Sequence, residues 1–269
     1  MSTTYILLSG GHSGIGLELT KMLLSKENYH LGLIIRSPER QAQLSEELRE
    51  AKNIDFFYSD LSDQASVKAL GETINNSWPK VDVLFNNAGV LLDDFYTSKQ
   101  GNEMHLEVNT LAPHYLTLSL KPSFKKADDP VVVNTVTGGL HNRKSIDIKV
   151  FEQGSSFKKL FGAYLQSKLA LSLLSQDWNK EIPTLRVVNV NPGPNKTKMT
   201  ADSGMPIWLL PLRNLFFQKP IKGAKLLYQG AFDEKHKKEK FALLNANKKA
   251  SLAFRLSDRD KAILLRSPE

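Results

Sequence analysis

The sequence predicts an α/β fold, in which one doubly wound parallel sheet of about seven strands carries helices on both faces. Apolar strand-like runs alternate with longer amphipathic stretches, a pattern typical of units in which a helix connects two parallel strands. A valine-rich run closed by two glycines, VVVNTVTGG at residues 131–139, is typical of a buried strand that reaches a turn. The 269 residues suit a single domain of this class.

The predicted elements alternate along the chain. Strands are expected at 5–9, 30–35, 54–58, 81–85, 131–135 and 185–191. Helices are expected at 14–25, 38–51, 62–77, 101–120 and 157–181, and Pro38 directly before Glu39 is a favourable helix start. No repeat or low-complexity linker interrupts this pattern, so residues 1–245 are predicted to form one domain. The segment 194–220, with WLLPLRNLFF inside it, is expected to be either core packing or an apolar flap over a binding crevice.

The basic residues concentrate towards the C-terminus. The net charge is +8, and residues 219–269 carry 13 Lys and Arg against 6 Asp and Glu. This segment, with 246–269 as a basic tail, is interpreted either as a solvated surface or as a peripheral contact with an anionic membrane. Nucleic-acid binding is not expected, because the sequence has no zinc-ligand spacing and no basic-region helix. The chain has no cysteine, no signal-peptide pattern and no apolar run of 18 residues, so the sequence predicts a cytoplasmic protein.

Glycines separate the first predicted strand from the first predicted helix. In SGGHSGIG, residues 9–16, the glycines allow a tight turn and leave backbone N–H groups at a helix N-terminus, where they can bind a pyrophosphate. The sequence therefore predicts a dinucleotide site here. The residues expected to form it are Gly10, His12, Ser13, Gly14, Ile15 and Gly16.

The ends of the next three strands also carry candidate cofactor residues. Arg36 follows the second strand, where an arginine suits the extra phosphate of NADP better than NAD, although a surface arginine at a strand end is the alternative. Asp60 and Leu61 follow the third strand, and Asp60 is expected either beside an adenine amino group or as a helix cap. Small residues follow the fourth strand and would let a cofactor approach the backbone, namely Asn87, Ala88 and Gly89.

Tyr164 and Lys168 lie four residues apart in a predicted helix, so they share one face of it. The order SGG-x2-GIG, DL, NNAG, VNT, Y-x3-K and NPG resembles the short-chain dehydrogenase/reductase family over about residues 5–200. The segments GNEMHLEVNTLAPHYLTL, Y-x2-SKLA and IKGAKLLYQGA resemble its retinol-dehydrogenase-like branch. The resemblance implies a Rossmann-type domain and an enzyme that interconverts alcohols and carbonyls with a nicotinamide cofactor.

The resemblance also implies roles for individual residues. Tyr164 would be the acid/base, and Lys168 would hold the nicotinamide ribose and lower the pKa of the tyrosine. Together these two residues would form a proton relay, and Asn109 would support that relay through a water molecule. Thr137 falls where the family has a catalytic serine, and its extra methyl group would crowd the substrate oxygen. Pro192, Gly193 and Thr197 match the turn that borders the nicotinamide. Pro194 stands where the family usually has an apolar residue such as valine, and because proline has no N–H it is expected to change the amide donors of this loop.

Two readings of the function follow from these residues. The first is an NADP(H)-dependent oxidoreductase that acts on a carbonyl or alcohol group of a lipophilic small molecule. The second, suggested by Thr137 and the NPGP turn, is an NADP(H)-binding regulator or scaffold with little catalysis. A primary role at a membrane surface or on nucleic acid is a third and weaker hypothesis. Self-association into a homo-oligomer is usual in the family, but the sequence indicates no interface.

Overall fold

One mixed sheet forms the centre of the molecule. The structure is a computed structural model that describes residues 2–201, 205–206, 217–246 and 248–265. Within these residues eight strands follow the order β3-β2-β1-β4-β5-β6-β7-β8. Neighbouring strands from β1 to β7 are parallel, and β8 is antiparallel to β7. The strands are β1 (Thr4–Ser9), β2 (Tyr29–Ile35), β3 (Ile54–Tyr58), β4 (Val83–Asn86), β5 (Val131–Thr135), β6 (Arg186–Asn191), β7 (Phe241–Asn245) and β8 (Lys248–Ala250).

Helices connect the parallel strands, as predicted. The structure describes ten helices, and the fifth of them contains a π-helical turn in its middle. The helices are α1 (Gly14–Leu24), α2 (Pro38–Ala42), α3 (Glu46–Arg49), α4 (Gln64–Ser77), α5 (Met104–Leu106, Glu107–Leu111 and Ala112–Ser119), α6 (Lys121–Phe124), α7 (Ala163–Leu174), α8 (Trp178–Glu181), α9 (Pro220–Phe232) and α10 (Asp258–Leu265). The doubly wound α/β fold class is therefore confirmed.

Two predicted helices differ most from the structure in their bounds. The helix expected at 38–51 is divided into α2 and α3, because Ser45 is extended and begins the second piece. The helix expected at 157–181 begins only at Ala163. Leu160, with φ of 48°, lies in the left-handed region and therefore cannot continue a right-handed helix.

Each face of the sheet has its own hydrophobic core. In β1, Leu7 belongs to the core under α4, α5 and α7, whereas Ile6 and Leu8 belong to the core under α1 and α9. This alternation follows from the two-residue period of a strand. Val132 and Val133 of β5 divide in the same way between the two cores. The valine-rich strand is therefore buried on both faces, as parallel sheets require.

The strand order reverses between β1 and β4. From β1 the chain proceeds outwards to β2 and β3, and it then returns to β4, which lies on the other side of β1. In sheets of this kind ligands bind beyond the carboxyl ends of the strands at the point of reversal. The candidate site residues after β1, β4 and β5 are placed at this edge.

The chain after residue 245 continues the fold over its described part. Ala250 of β8 pairs with Leu243 of β7, and Leu264 of α10 is buried. Several of its basic side chains form ion pairs, including Lys249 with Glu239 and Arg255 with Asp177. The division of the chain at residue 245 stays a prediction. In the part of the chain that the structure describes, no helix combines the length and the apolar character needed to cross a membrane.

Candidate functional site

A cleft of about 670 Å³ opens at the carboxyl ends of the central strands. It brings together residues that the sequence distributes between positions 10 and 197. Asp60 and Asn109 are the two predicted site residues that do not line it. The predicted residues that line the cleft are Gly10, His12, Ser13, Gly14, Ile15, Gly16, Arg36, Leu61, Asn87, Ala88, Gly89, Thr137, Tyr164, Lys168, Pro192, Gly193 and Thr197.

The glycine-rich turn between β1 and α1 leaves no room for side chains at two of its glycines. A Cβ atom at position 16 would lie 2.1 Å from the backbone oxygen of Gly10. Gly14 has φ of +55°, a conformation that other residues rarely adopt. The turn therefore presents bare backbone to the cleft at the N-terminus of α1, where the first amides have no partner within the helix. This cradle fits the phosphates of a dinucleotide.

The end of β4 is tied to the end of β1. The Ser9 hydroxyl accepts hydrogen bonds from the backbone amides of Asn87 and Ala88, at 3.1 and 3.0 Å. The Asn87 amide group donates to the Ser9 carbonyl oxygen at 3.2 Å. A Cβ atom on Gly10 would lie 3.0 Å from Cα of Ala88. The ends of β1 and β4 thus approach each other closely and fix this wall of the cleft. The close approach of a cofactor to Asn87, Ala88 and Gly89 stays a prediction.

Four nitrogen-bearing side chains gather at the β2 end of the cleft. His12, Arg36, Arg40 and Lys198 all line it. Burial, then Arg40, Arg36 and Lys198 in that order, lower the pKa of His12, so its imidazole is held neutral among three cations. Its Nδ1 atom is buried and has no hydrogen-bond partner among the residues that the structure describes. An excess of positive charge beside an unsatisfied polar atom fits a phosphate group of the cofactor.

Asp60 lies beside this group of cations and outside the lining of the cleft. Its Oδ1 atom is 3.8 Å from Nε of Arg36 and accepts hydrogen bonds from the backbone amide and the hydroxyl of Ser62. Burial raises the pKa of Asp60, but the Ser62 hydrogen bonds and Arg36 outweigh it, so the pKa is lowered overall. The carboxylate therefore helps to orient Arg36, while Ser59 and Leu61 on either side of it line the cleft.

Tyr164 and Lys168 project from α7 into the cleft. Nζ of Lys168 donates a 3.0 Å hydrogen bond to the carbonyl oxygen of Thr135. Burial lowers the pKa of Lys168 to about 8. Burial raises the pKa of Tyr164 to about 12, so the expected lowering by the lysine is not found in the protein by itself. The cost of placing a phenolate in a dry site outweighs the nearby cation.

Asn109 is buried in the π-helical turn of α5, behind the wall of the cleft. Its Oδ1 atom accepts from the Val90 amide at 2.8 Å, and its Nδ2 atom donates to the Val90 carbonyl oxygen at 3.0 Å. Nδ2 also donates to the Ser167 hydroxyl at 3.1 Å, and that hydroxyl donates to the Tyr164 carbonyl oxygen at 2.7 Å. In this arrangement Asn109 connects Val90, in the wall that follows β4, to the backbone of Tyr164.

Thr137 and Val136 follow β5, and the structure distinguishes them by burial. Both residues line the cleft, but Val136 is 3% exposed and packs in the core under α7, whereas Thr137 is partly exposed. Thr137, which falls where the family has a catalytic serine, is thus the less buried of the two residues. Its assignment as a catalytic residue stays a prediction.

The turn after β6 is held by Gln218. The side-chain Nε2 atom of Gln218 donates to the carbonyl oxygen of Pro192 at 2.7 Å, and its backbone N–H donates to the carbonyl oxygen of Pro194 at 3.0 Å. The Gly193 amide donates to Oδ1 of Asn191 at 3.0 Å. Residues 202–204 and 207–216 of the predicted apolar flap lie outside the described residues. Of the flap, Met205 and Phe217 are among the residues that line the cleft.

Several residues of the cleft are absent from the sequence prediction. Arg40 had a usable signal, because it lies four residues after Arg36 at the start of a predicted helix. Lys198 directly follows Thr197 in the NKTK segment, and only the tertiary structure brings it near His12. Part of the apolar lining was also missed, namely Val90, Leu91, Leu92 and Leu160, although VLL directly follows the NNAG motif. Met199, which also lines the cleft, lies in the predicted flap segment.

The chain is similar to known proteins in both sequence and structure. A family described as short chain dehydrogenase matches residues 4–145, more than half of the chain. Retinol dehydrogenase 14 of Homo sapiens is 28% identical over 246 residues, covering 82% of this chain and 71% of that protein. Polyprenol dehydrogenase of Danio rerio is 29% identical over 246 residues, covering 85% of this chain and 74% of that protein. The solved Pseudomonas aeruginosa RhlG/NADP active-site complex has a TM-score of 0.69 at 20% identity, covering 92% of this chain and 96% of that one. These similarities confirm the resemblance that the motifs indicated.

Proposed function

We propose that this chain, which belongs to the short chain dehydrogenase family and is an oxidoreductase of alcohol and carbonyl groups, uses NADP(H) and acts on a lipophilic small molecule through a Tyr164–Lys168 relay. One observation carries the proposal. Tyr164 and Lys168 line the same cleft as the glycine turn and the group of three cations. A nicotinamide dinucleotide held by the turn and the cations would extend along this cleft towards the tyrosine.

Each group in the cleft has a chemical task in this proposal. When bound, the dinucleotide supplies or accepts the hydride. In the reducing direction, the Tyr164 hydroxyl donates its proton to the carbonyl oxygen as that oxygen gains negative charge. The Lys168 ammonium favours the resulting phenolate and would bind a ribose hydroxyl. Thr137 would hydrogen-bond the same substrate oxygen, and Asn109 would hold the wall behind the tyrosine.

The preference for NADP(H) over NAD(H) rests on the cations at the β2 end. Arg36 and Arg40 provide guanidinium groups that can bind a phosphate with two parallel hydrogen bonds, and Lys198 adds a third positive charge. The buried Nδ1 atom of His12 has no partner in the described part of the chain and can accept from an adenosine hydroxyl. A ribose without the additional phosphate would leave these cations facing each other, which favours NADP(H).

The lipophilic character of the substrate is supported by the side of the cleft beyond the cofactor cradle. There the lining includes Leu91, Leu92, Leu160, Met205 and Phe217. Burial of apolar substrate surface against such a wall contributes about 25 cal/mol per Å². The two relatives named above are, by their names, dehydrogenases of retinol and polyprenol, both of which are lipophilic alcohols.

The cofactor-binding regulator remains a second candidate because Thr137 stands where the family has serine. Its methyl group occupies space beside the substrate oxygen and restricts the hydroxyl to fewer rotamers. A chain of this kind could bind NADPH and turn over slowly. Peripheral membrane contact through the basic C-terminal segment and self-association remain predictions.

The test compares Tyr164→Phe with Tyr228→Phe, since Tyr228 is also partly buried but lies on α9 and does not line the cleft. Turnover of NADPH is measured with aldehydes and ketones of graded size, and the dissociation constant of NADPH is measured separately. Tyr164→Phe should lower kcat by at least about 100-fold, because general acid catalysis contributes that much, and should leave NADPH binding unchanged. Unchanged turnover in Tyr164→Phe would refute the relay. Tight NADPH binding without turnover in the unmodified protein would favour the regulator.

A further inference from the structure

A buried, hydrogen-bonded glutamate–histidine pair lies behind the apolar wall of the cleft. Glu103 and His105 stand at the N-terminus of α5, and each is 1% exposed. Oε1 of Glu103 is 2.6 Å from Nδ1 of His105, and its Oε2 atom accepts from the Leu106 amide at 3.0 Å. Nε2 of His105 lies 2.9 Å from the backbone nitrogen of Leu92. Neither residue lines the cleft, and the proposed reaction does not use them.

The hydrogen bonds fix the protonation of this pair. The Leu92 amide can only donate, so Nε2 of His105 must be the unprotonated acceptor. The imidazole proton then lies on Nδ1 and is donated to Glu103, which is an ionised carboxylate. Both oxygens of the carboxylate have donors, and one of these is an amide at a helix N-terminus, where a negative charge is favourable. The buried charge is thus satisfied.

His105 touches several parts of the cleft at once. Its ring meets the Tyr164 ring edge to face, with the centroids 6.2 Å apart and the planes at 80°. On another side it stacks on Phe157, at 6.2 Å and 28°. Its hydrogen bond to Leu92 holds a segment of the apolar wall, since residues 90–92 all line the cleft. One imidazole therefore connects the acid/base tyrosine to the wall that would contact the substrate.

These contacts exclude a role for His105 in proton transfer. Both of its ring nitrogens are already engaged, one by Glu103 and the other by the Leu92 amide. Its contact with Tyr164 is made through the ring and not through a nitrogen–oxygen hydrogen bond. We infer that Glu103 and His105 are positioning residues that set the distance between the Leu91–Leu92 wall and Tyr164, and hence the affinity for lipophilic substrates. This inference rests on the proposed function.

An isosteric substitution distinguishes a positioning role of this pair from ordinary core packing. In Glu103→Gln, the new amide presents one oxygen and one NH₂ group to two donors, the Leu106 amide and Nδ1 of His105. If the NH₂ faces His105, the imidazole must move its proton to Nε2, which then opposes the Leu92 amide. If the NH₂ faces the helix, it opposes the Leu106 amide. Either orientation leaves a buried donor without an acceptor, a costly arrangement. Its relief displaces the Leu92 segment directly in the first case, and in the second it displaces the start of α5, on which His105 stands.

Glu107 provides a matched control one turn further along α5. It is 0% exposed, and its carboxylate accepts from Gln64, Ser98 and Asn102 at 2.8 to 3.4 Å. None of these three partners lines the cleft. Glu107→Gln therefore removes an equally buried charge from the same helix without a connection to residues 90–92.

The experiment measures kcat and KM for a bulky lipophilic aldehyde and for a short-chain aldehyde in the unmodified protein, Glu103→Gln and Glu107→Gln. Glu103→Gln should raise KM for the bulky substrate by roughly 10- to 100-fold, because small displacements of positioning groups have effects of that size. The short-chain substrate, which does not reach Leu91 and Leu92, should change much less, and the dissociation constant of NADPH should stay constant. Glu107→Gln should keep both KM values. Equal changes for both substrates, or in both variants, would overturn the inference.

Two further measurements do not depend on turnover. The Leu92 amide should exchange its hydrogen slowly in the unmodified protein and in Glu107→Gln, and faster in Glu103→Gln. Nitrogen-15 NMR of His105 should show the Nδ1–H tautomer in the unmodified protein. Glu103→Asp, which keeps a carboxylate on a shorter side chain, is a second variant with the same expected direction. A protected Leu92 amide in both Glu103 variants would refute the pairing, whereas absent turnover in the unmodified protein would refute only the proposed function.

Discussion

Nζ of Lys168 donates its 3.0 Å hydrogen bond to the carbonyl oxygen of Thr135, the last residue of β5. The bond directs a buried ammonium towards the strand end, two residues before Thr137. A Cβ atom on Gly89 would lie only 3.2 Å from the same Nζ atom, so the end of β4 also approaches it. The lysine head group is thus held between the ends of β4 and β5. This position makes the charge available in the cleft without exposing it to water.

Thr137→Ser and Thr137→Ala test whether threonine fulfils the role of the family's serine. The serine variant removes only the methyl group, so its kcat/KM should equal or exceed that of the unmodified protein. The alanine variant removes the hydroxyl, and kcat should fall by about 100-fold or more, the usual cost of losing one donor to a developing oxyanion. Thr73→Ala, on the exposed side of α4, is the control for a lost hydroxyl. Equal activity of the alanine variant and the unmodified protein would leave Thr137 no part in the reaction.

Arg36→Ala tests the preference for NADP(H). Loss of a charge-assisted contact with the additional phosphate should raise the dissociation constant of NADPH by roughly 10- to 100-fold, which corresponds to about 1.5–3 kcal/mol. The dissociation constant of NADH should change by less than about threefold, since NADH has no such phosphate. Binding titrations of both cofactors give the two dissociation constants. Arg259→Ala, at an exposed position of α10, is the control. Equal weakening for both cofactors would exclude the proposed phosphate contact.

Because the imidazole of His114 is buried, we expect the protein to lose stability in acid. The Nδ1 atom of this imidazole accepts a 2.9 Å hydrogen bond from the Trp178 indole N–H. Burial lowers its pKa to about 4, from about 6.5 in the unfolded chain. The unfolded state therefore binds more protons between these two values, so stability falls as the pH decreases from 6.5 towards 4. The loss between pH 7 and pH 4.5 should be on the order of 2 to 3 kcal/mol.

Urea unfolding at pH 7 and pH 4.5 measures this loss. His114→Gln has no group that titrates in the window, so its free energy of unfolding should fall less between the two pH values than that of the unmodified protein. Comparing the two differences cancels the contribution of the carboxylates, which is common to both proteins. The same pH dependence in both proteins would show that His114 does not titrate as its burial implies.

The sequence by itself determined the alternation of strands and helices, because each element of a doubly wound sheet shows its burial in local hydrophobic periodicity. The valine run of β5 and the glycine turn after β1 are examples, since both depend on residues that are neighbours in the chain. The separation of Tyr164 and Lys168 is equally local, because four residues make about one helical turn. The start of α7 was not predictable in this way, because the loop before it has the composition of a helix but a left-handed residue at Leu160.

The tertiary structure alone decided which distant residues meet. Arg40 and Lys198 join His12 only because the sheet order places the ends of β1, β2 and β6 around one cleft. Asn109 lies behind the wall because the π-helical turn of α5 directs it towards Val90 and Ser167. The pKa values of Tyr164 and Lys168 also follow from burial by residues remote in sequence. Local patterns specify each element, whereas the position of one element against another depends on packing that involves the whole chain.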